Sequence, residues 1–277
     1  QLQTEKTDIN KSFTEWELCM AFVLQTLRKW PGLGQKLIMG AMHANNSRLK
    51  HQAIKTLDDW PVHDWPSEAM EVLEKIAEDE EYKKDVGEVF SHKGVASLEK
   101  GEHHLARNFF RRAFDTGINK PSVWFNWGLS YHLSGDFEGA ASYYEKAVQT
   151  DPGYFRAFVN LAVCRTELGE YQEAVDCLNR AVEINSNDSK AWFNLGYNLV
   201  CLKRYAEAVA CYDRAMELDK YDYRYPCNKA QCLNIMGEYG DALFWADRAL
   251  LLNDKDEIAW CNKAFSLMRL KRYDEAV

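Results

Sequence analysis

The chain has 277 residues, 47% of them hydrophobic, and a formal net charge of -8. That length exceeds one typical domain and supplies ample apolar surface for burial, while the acidic balance argues against nucleic acid and anionic membranes, which reward clustered Lys and Arg. No apolar run reaches the roughly 18 residues of a membrane span, and the N-terminus lacks a charged-then-apolar export signal, so a cytoplasmic location is expected.

Residues 1–86 carry helical apolar spacing over 13–27, 33–42, 49–57 and 69–76. The run Leu24 to Trp30-Pro31 returns thirty residues later as Ile54 to Trp60-Pro61, implying two helix, Trp-Pro, helix units. Pro31-Gly32-Leu33-Gly34-Gln35-Lys36 reads as a helix-helix turn, and the acids Glu78 to Glu81 as a solvated link. The stretch Ser47 to Leu57 resembles the second helix of a short HEAT-like repeat; the other reading of residues 1–86 is an irregular helical cap, and either one extends a solenoid.

From residue 87 a 34-residue period takes over. Ala106, Ala140, Ala174, Ala208, Ala242 and Ala276 keep the step, as do Ala113, Ala147, Ala181, Ala215 and Ala249. A small position runs Gly94, Gly128, Ala162, Gly196, Ala230 and Ala264. Units therefore begin at residues 87, 121, 155, 189, 223 and 257, the last one truncated. Each splits at a turn such as Ser134-Gly135-Asp136, where glycine ends one helix and an acid opens the next, giving two antiparallel helices per unit. Ending inside a unit, the chain reads as a window from a longer protein. Of its eight cysteines, seven lie in the repeats without CxxC spacing and read as buried hydrophobes in a reducing compartment.

Trp124, Trp127-Gly128, Tyr131, Ala140, Tyr144, Ala147 and Pro152, with Trp192, Leu195-Gly196, Ala208, Tyr212 and Ala215, resemble the tetratricopeptide repeat (TPR) motif. The resemblance covers residues 87–277 and implies an all-α solenoid wound as a right-handed superhelix, with the first helix of each unit lining a concave groove. Departures are mild: Lys93, Lys229 and Lys263 stand for the family's Leu, Lys203 and Lys271 for the turn glycine, and Pro226 for the first aromatic.

On the first helix, offsets 4, 7, 8 and 11 share one face and offsets 2, 5, 6, 9 and 13 point the other way. Offset 6 is asparagine in five successive units: Asn126, Asn160, Asn194, Asn228 and Asn262. Asparagine is a mediocre helix former, but its carboxamide offers a donor and an acceptor that match an extended peptide backbone. Arg156, Lys190 and Arg224 at offset 2 add a basic stripe suited to an acidic partner segment. Phe125, Phe193, Tyr197 and Phe265, together with Leu129, Val159 and Val163, supply an apolar floor. Phe125 and Leu129, or Phe193 and Tyr197, stand where the family's two-carboxylate clamp would need Lys and Asn, so that clamp is not expected.

Motifs for nucleophilic, phosphate-binding and metal chemistry are missing, and His103-His104 diverge on a helix without a third ligand. No cofactor, metal or catalytic residue is expected. The sequence reads as a non-catalytic protein-protein interaction scaffold with a peptide-binding groove. The alternative is a substrate-recruiting or regulatory arm of an enzyme whose catalytic domain lies elsewhere. The partner and the oligomeric state are not legible.

Overall fold

The computed structural model describes residues 31–43, 47–65 and 68–275, and among them all regular structure is helical. The expected helix over residues 13–27 and the alanine at 276 lie outside the described residues. The chain divides into two compact units, Gln1–Asn119 and Lys120–Val277.

The first unit holds α1 (Pro31–His43), α2 (Ser47–Asp59), a 3-10 turn (Val62–Asp64), α3 (Ala69–Ile76), α4 (Glu80–Glu99) and α5 (His103–Asp115). Two expectations are corrected here. Pro31 to Lys36 is not a turn but the start of α1, because proline needs no N–H donor at a helix's first position. The acidic run at 78–81 is an exposed link only through Glu78 and Asp79: Asp79 also caps α4 by accepting from the Glu81 amide at 3.0 Å, and Glu80 and Glu81 lie in its first turn, where the helix dipole favours negative charge. So capped, α4 runs straight through Gly87, starting seven residues before the first expected unit.

The 34-residue step also continues in space where the sequence no longer displays it. Between α2 and α4, Ser47 donates to Glu81, His51 Nε2 lies 3.4 Å from Asp85, and Asp58 lies 2.8 Å from His92 Nδ1. Each contact joins residue i to i+34, so these two helices run parallel, one repeat step apart. The Trp60-Pro61 turn is tied down by Trp65, whose Nε1 donates to the carbonyls of Leu57 and Trp60 at 3.0 and 3.2 Å. Lys93, on the buried side of α4, donates to the Asp58 carbonyl and sits over the Trp65 ring at 5.8 Å. Burial lowers its pKa, because a desolvated ammonium is disfavoured.

In the second unit four complete hairpins follow one another, α6 (Pro121–His132) with α7 (Phe137–Thr150), α8 (Phe155–Glu167) with α9 (Tyr171–Ile184), α10 (Ser189–Cys201) with α11 (Tyr205–Leu218), and α12 (Arg224–Met236) with α13 (Tyr239–Leu252). Helix α14 (Glu257–Arg269) and a 3-10 turn (Tyr273–Glu275) follow. Each second helix packs both on its own first helix and on the next one, and α8, α10, α12 and α14 touch in succession. The result is an α-solenoid with first helices as its inner row. Asp136, Asp188 and Asp256 cap their helices through side-chain oxygens. Ala140, Ala174, Ala208 and Ala242, with Ala147, Ala181, Ala215 and Ala249, are completely buried, so any larger side chain there would force the helices apart.

Two further positions explain the period. The turn residue after each first helix is left-handed: Gly135 and Gly169 have φ of 78°, Gly237 has 86°, and the non-glycine replacements Lys203 and Lys271 are held at 61° and 62°. The small residue at offset 8 answers the residue at offset 24. Gly94 faces Phe110, Gly128 faces Tyr144 and Gly196 faces Tyr212, where an added Cβ would lie 2.5, 2.9 and 2.7 Å from the ring. Where offset 8 is alanine, as at Ala162 and Ala230, offset 24 is Leu178 and Ala246. The aromatic takes the space that a Cβ would occupy.

Candidate peptide-binding surface

The offset-6 asparagines fall on the inner row of α6, α8, α10, α12 and α14, but the structure treats them unequally. Asn126, Asn160, Asn194 and Asn228 are half-buried. Asn160 Nδ2 donates to the Tyr144 hydroxyl at 3.3 Å, while Asn228 Nδ2 turns back to the Arg224 carbonyl at 2.8 Å. Asn262 is the exception: it is buried, and its Nδ2 donates to the Cys227 carbonyl at 3.1 Å. Its carboxamide is spent on the preceding first helix, and it drops out of any open row.

Arg156, Lys190 and Arg224 are exposed at offset 2 as expected, and two of them are anchored by aromatic rings. The Arg156 guanidinium lies 4.9 Å from the Phe125 ring centre, and that of Arg224 lies 5.1 Å from Phe193. Phe125 in turn packs on Tyr144 and Tyr154 at 5.5 and 5.3 Å, and Phe193 on Tyr212 and Tyr225 at 5.9 and 5.4 Å. These contacts correct the expectation for Phe125. Only 3% exposed, it supports Arg156 from below and offers no floor to a ligand. Phe193 is half-buried, whereas Tyr197 and Phe265 are each 46% exposed.

Two equivalent constellations therefore recur 68 residues apart, Phe125, Tyr144, Arg156 and Asn160, then Phe193, Tyr212, Arg224 and Asn228. They differ in their bonds. The Tyr144 hydroxyl accepts from Asn160, but the equally buried Tyr212 hydroxyl has no hydrogen-bond partner among the described residues. Burial pushes the pKa of both phenols up, so each stays a neutral donor and acceptor.

A polar seam between neighbouring first helices went unread in the sequence. Residues at offset 12 meet offset 10 of the next unit: His132 Nδ1 with Cys164 Sγ at 3.5 Å, Thr166 Oγ1 with Asn198 Oδ1 at 2.9 Å, and Asn234 Oδ1 with Ser266 Oγ at 2.7 Å. The fourth pair, Val200 and Cys232, is apolar on both sides. That matched choice of polar or apolar partners 32 residues apart was the available signal. Burial lowers the pKa of His132 and pushes the Cys164 thiol up to about 12, so the pair is neutral and no thiolate nucleophile forms.

Family models described as tetratricopeptide repeat match residues 93–155, 131–195 and 189–222. Residues 93–222 form a tetratricopeptide repeat segment. No curated protein sequence matches the chain. Among solved structures the TPR fold recurs in YrrB, described as a TPR protein with an unusual peptide-binding site, at 21% identity and a TM-score of 0.62 over 70% of this chain and 96% of that one. It recurs in MamA of Desulfovibrio magneticus RS-1, at 16% identity and a TM-score of 0.57 over 62% and 97%. PilF of Pseudomonas aeruginosa is similar at 17% identity and 0.57, over 70% and 88%. At these identities the likeness is one of fold. A TPR array is a protein-interaction scaffold, and among the described residues no helix is long and apolar enough to cross a membrane.

Proposed function

We propose that the second unit is a non-catalytic scaffold that holds an extended peptide segment of another protein along the row of first helices. The observation that carries this reading is the set of four half-buried asparagines, Asn126, Asn160, Asn194 and Asn228, at one offset of four successive units. None of their carboxamide oxygens accepts a hydrogen bond among the described residues. A row of acceptors and spare N–H groups suits a peptide backbone whatever its side chains. Lys190 and Arg156, the latter set over the Phe125 ring, favour negative charge in the segment, while Tyr197 and the half-buried Phe193 add apolar contact. Comparison with YrrB supports the same reading through the peptide-binding site its description names. The acidic net charge supports a protein partner over nucleic acid.

The test is capture from native lysate by the immobilised chain and by its Asn160→Ala, Asn194→Ala, Asn228→Ala triple variant, matched for helicity and melting. A protein retained by the parent and lost from the variant supports the groove. Equal retention by both would refute it.

A further inference from the structure

The offset-2 cations differ in what precedes them by two residues. That position is Tyr154 before Arg156, Asp188 before Lys190 and Asp222 before Arg224. Asp188 spends its Oδ1 on the Ala191 amide at 2.8 Å as a helix cap. Asp222 does something else. Its carboxylate takes Arg224 Nε at 2.9 and 3.1 Å and Nη2 at 2.5 Å, and its Oδ1 also accepts from the Arg224 amide at 3.0 Å. This is the two-pronged geometry by which a guanidinium binds any carboxylate. At the equivalent place Tyr154 lays its ring against Phe125, and Arg156 makes no ion pair among the described residues. Both guanidinium groups lie over a phenylalanine ring, a contact that consumes none of their N–H donors and reduces the freedom lost on binding.

We propose that the bound segment is selected by one carboxylate docking on Arg156, and that Asp222 occupies the matching station on Arg224 as an internal stand-in for a second ligand acid. This rests on the groove reading above and adds to it a polarity. The groove reads acid at the α8 station and is self-neutralised at the α12 station. The carboxylate belongs to an Asp or Glu side chain or to the peptide's own C-terminus, and the two sources are separable.

The experiment measures binding of three fluorescent dodecapeptides by anisotropy at low salt: Gly-Ser-Glu repeats with an amidated end, Gly-Ser-Gln repeats with an amidated end, and the Gln peptide with a free carboxylate. The proteins are the full chain and its R156Q, R224Q, D222N and D222N/R224Q variants, plus the asparagine triple variant, each checked for unchanged helicity. Asn at 222 retains the backbone-capping oxygen while losing the charge. Expected is a preference of about tenfold for a carboxylate-bearing peptide, the size of one charge-assisted hydrogen-bonding contact, which R156Q abolishes and R224Q leaves in place. Preference for the Glu peptide identifies a side-chain acid, and preference for the free-ended Gln peptide a C-terminus. D222N should tighten binding of the Glu peptide several-fold, and R224Q should reverse that gain only in the D222N background. Equal losses from R156Q and R224Q in the parent, or no gain from D222N, would overturn the inference. If peptides bind, lose affinity in the asparagine triple variant and ignore R156Q, the groove stands and the station does not. Absence of binding, or binding untouched by the triple variant, would overturn both.

Discussion

Replacing Gly196 with alanine probes the rule that sets the repeat's small position. The new Cβ would lie 2.7 Å from Tyr212 Cε1 and 3.0 Å from Cδ1 and Cζ, well inside contact distance of a fully buried ring. Overpacking of this kind costs about 1–3 kcal/mol, against which alanine in a helix interior gains about 1 kcal/mol over glycine. The net in the parent is a loss of about 0–2 kcal/mol. In a Tyr212→Leu background the ring is gone and the pair copies Ala162 with Leu178, so the same substitution should stabilise by about 1 kcal/mol. The coupling between the two sites is therefore about 1–3 kcal/mol, to be read from urea midpoints of the four proteins. In thermal melts each kcal/mol should appear as about 2–4 °C for an array of this size. An equal effect of Gly196→Ala in both backgrounds would refute the reasoning, because the ring would then not be what demands glycine.

Three further outcomes are expected. Lys229 is buried against Asp213 at 2.5 Å and over the Trp245 ring at 4.2 Å. Asp213→Ala, which strands the ammonium, should therefore destabilise by about 1–3 kcal/mol, whereas Lys229→Leu, matching Leu161 and Leu195, should be neutral or stabilising in the same urea assay. Burial lowers the pKa of His132, so between its unfolded value near 6.5 and its folded value the unfolded chain binds the extra proton. Stability should fall as pH drops through that window, and His132→Leu should flatten the difference between pH 7.5 and 5.5 in urea midpoints. Burial pushes the thiols of Cys164 and Cys227 up to about 12 and that of Cys232 to about 11, while Cys261 is exposed. Alkylation of the folded protein at pH 8, mapped by mass spectrometry, should label Cys261 first and the buried three only with denaturant, since the thiolate is the nucleophile.

Much of this molecule was legible from residue identity at a fixed interval. The alanine columns, the Gly135 and Gly169 turns and the offset-8 glycines mark places where backbone geometry or helix contact leaves few choices of side chain, and such constraints recur whenever the unit recurs. The 34-residue step alone implied hairpins stacked in register, and helix periodicity put the offset-6 asparagines and offset-2 cations on one face of the first helices, where four of those asparagines are half-buried and the three cations exposed. What the period could not convey is which partner each side chain finds. Asn160 and Asn228 are the same residue at the same offset, yet one bonds Tyr144 and the other its own helix. Asn262, with Ala246 in place of a tyrosine at offset 24, turns inward to Cys227. Phe125, placed on an open face by its offset, is covered by Tyr144, Tyr154 and Arg156, which come from two other segments of the array. Before residue 87 the step survives only in space, through pairs such as His51 with Asp85, because an exposed polar contact between parallel helices needs complementary groups and no particular residue. Packing constraints act on one position at a time and leave their mark on sequence; hydrogen bonds and ion pairs are joint properties of residues that only the folded chain brings together.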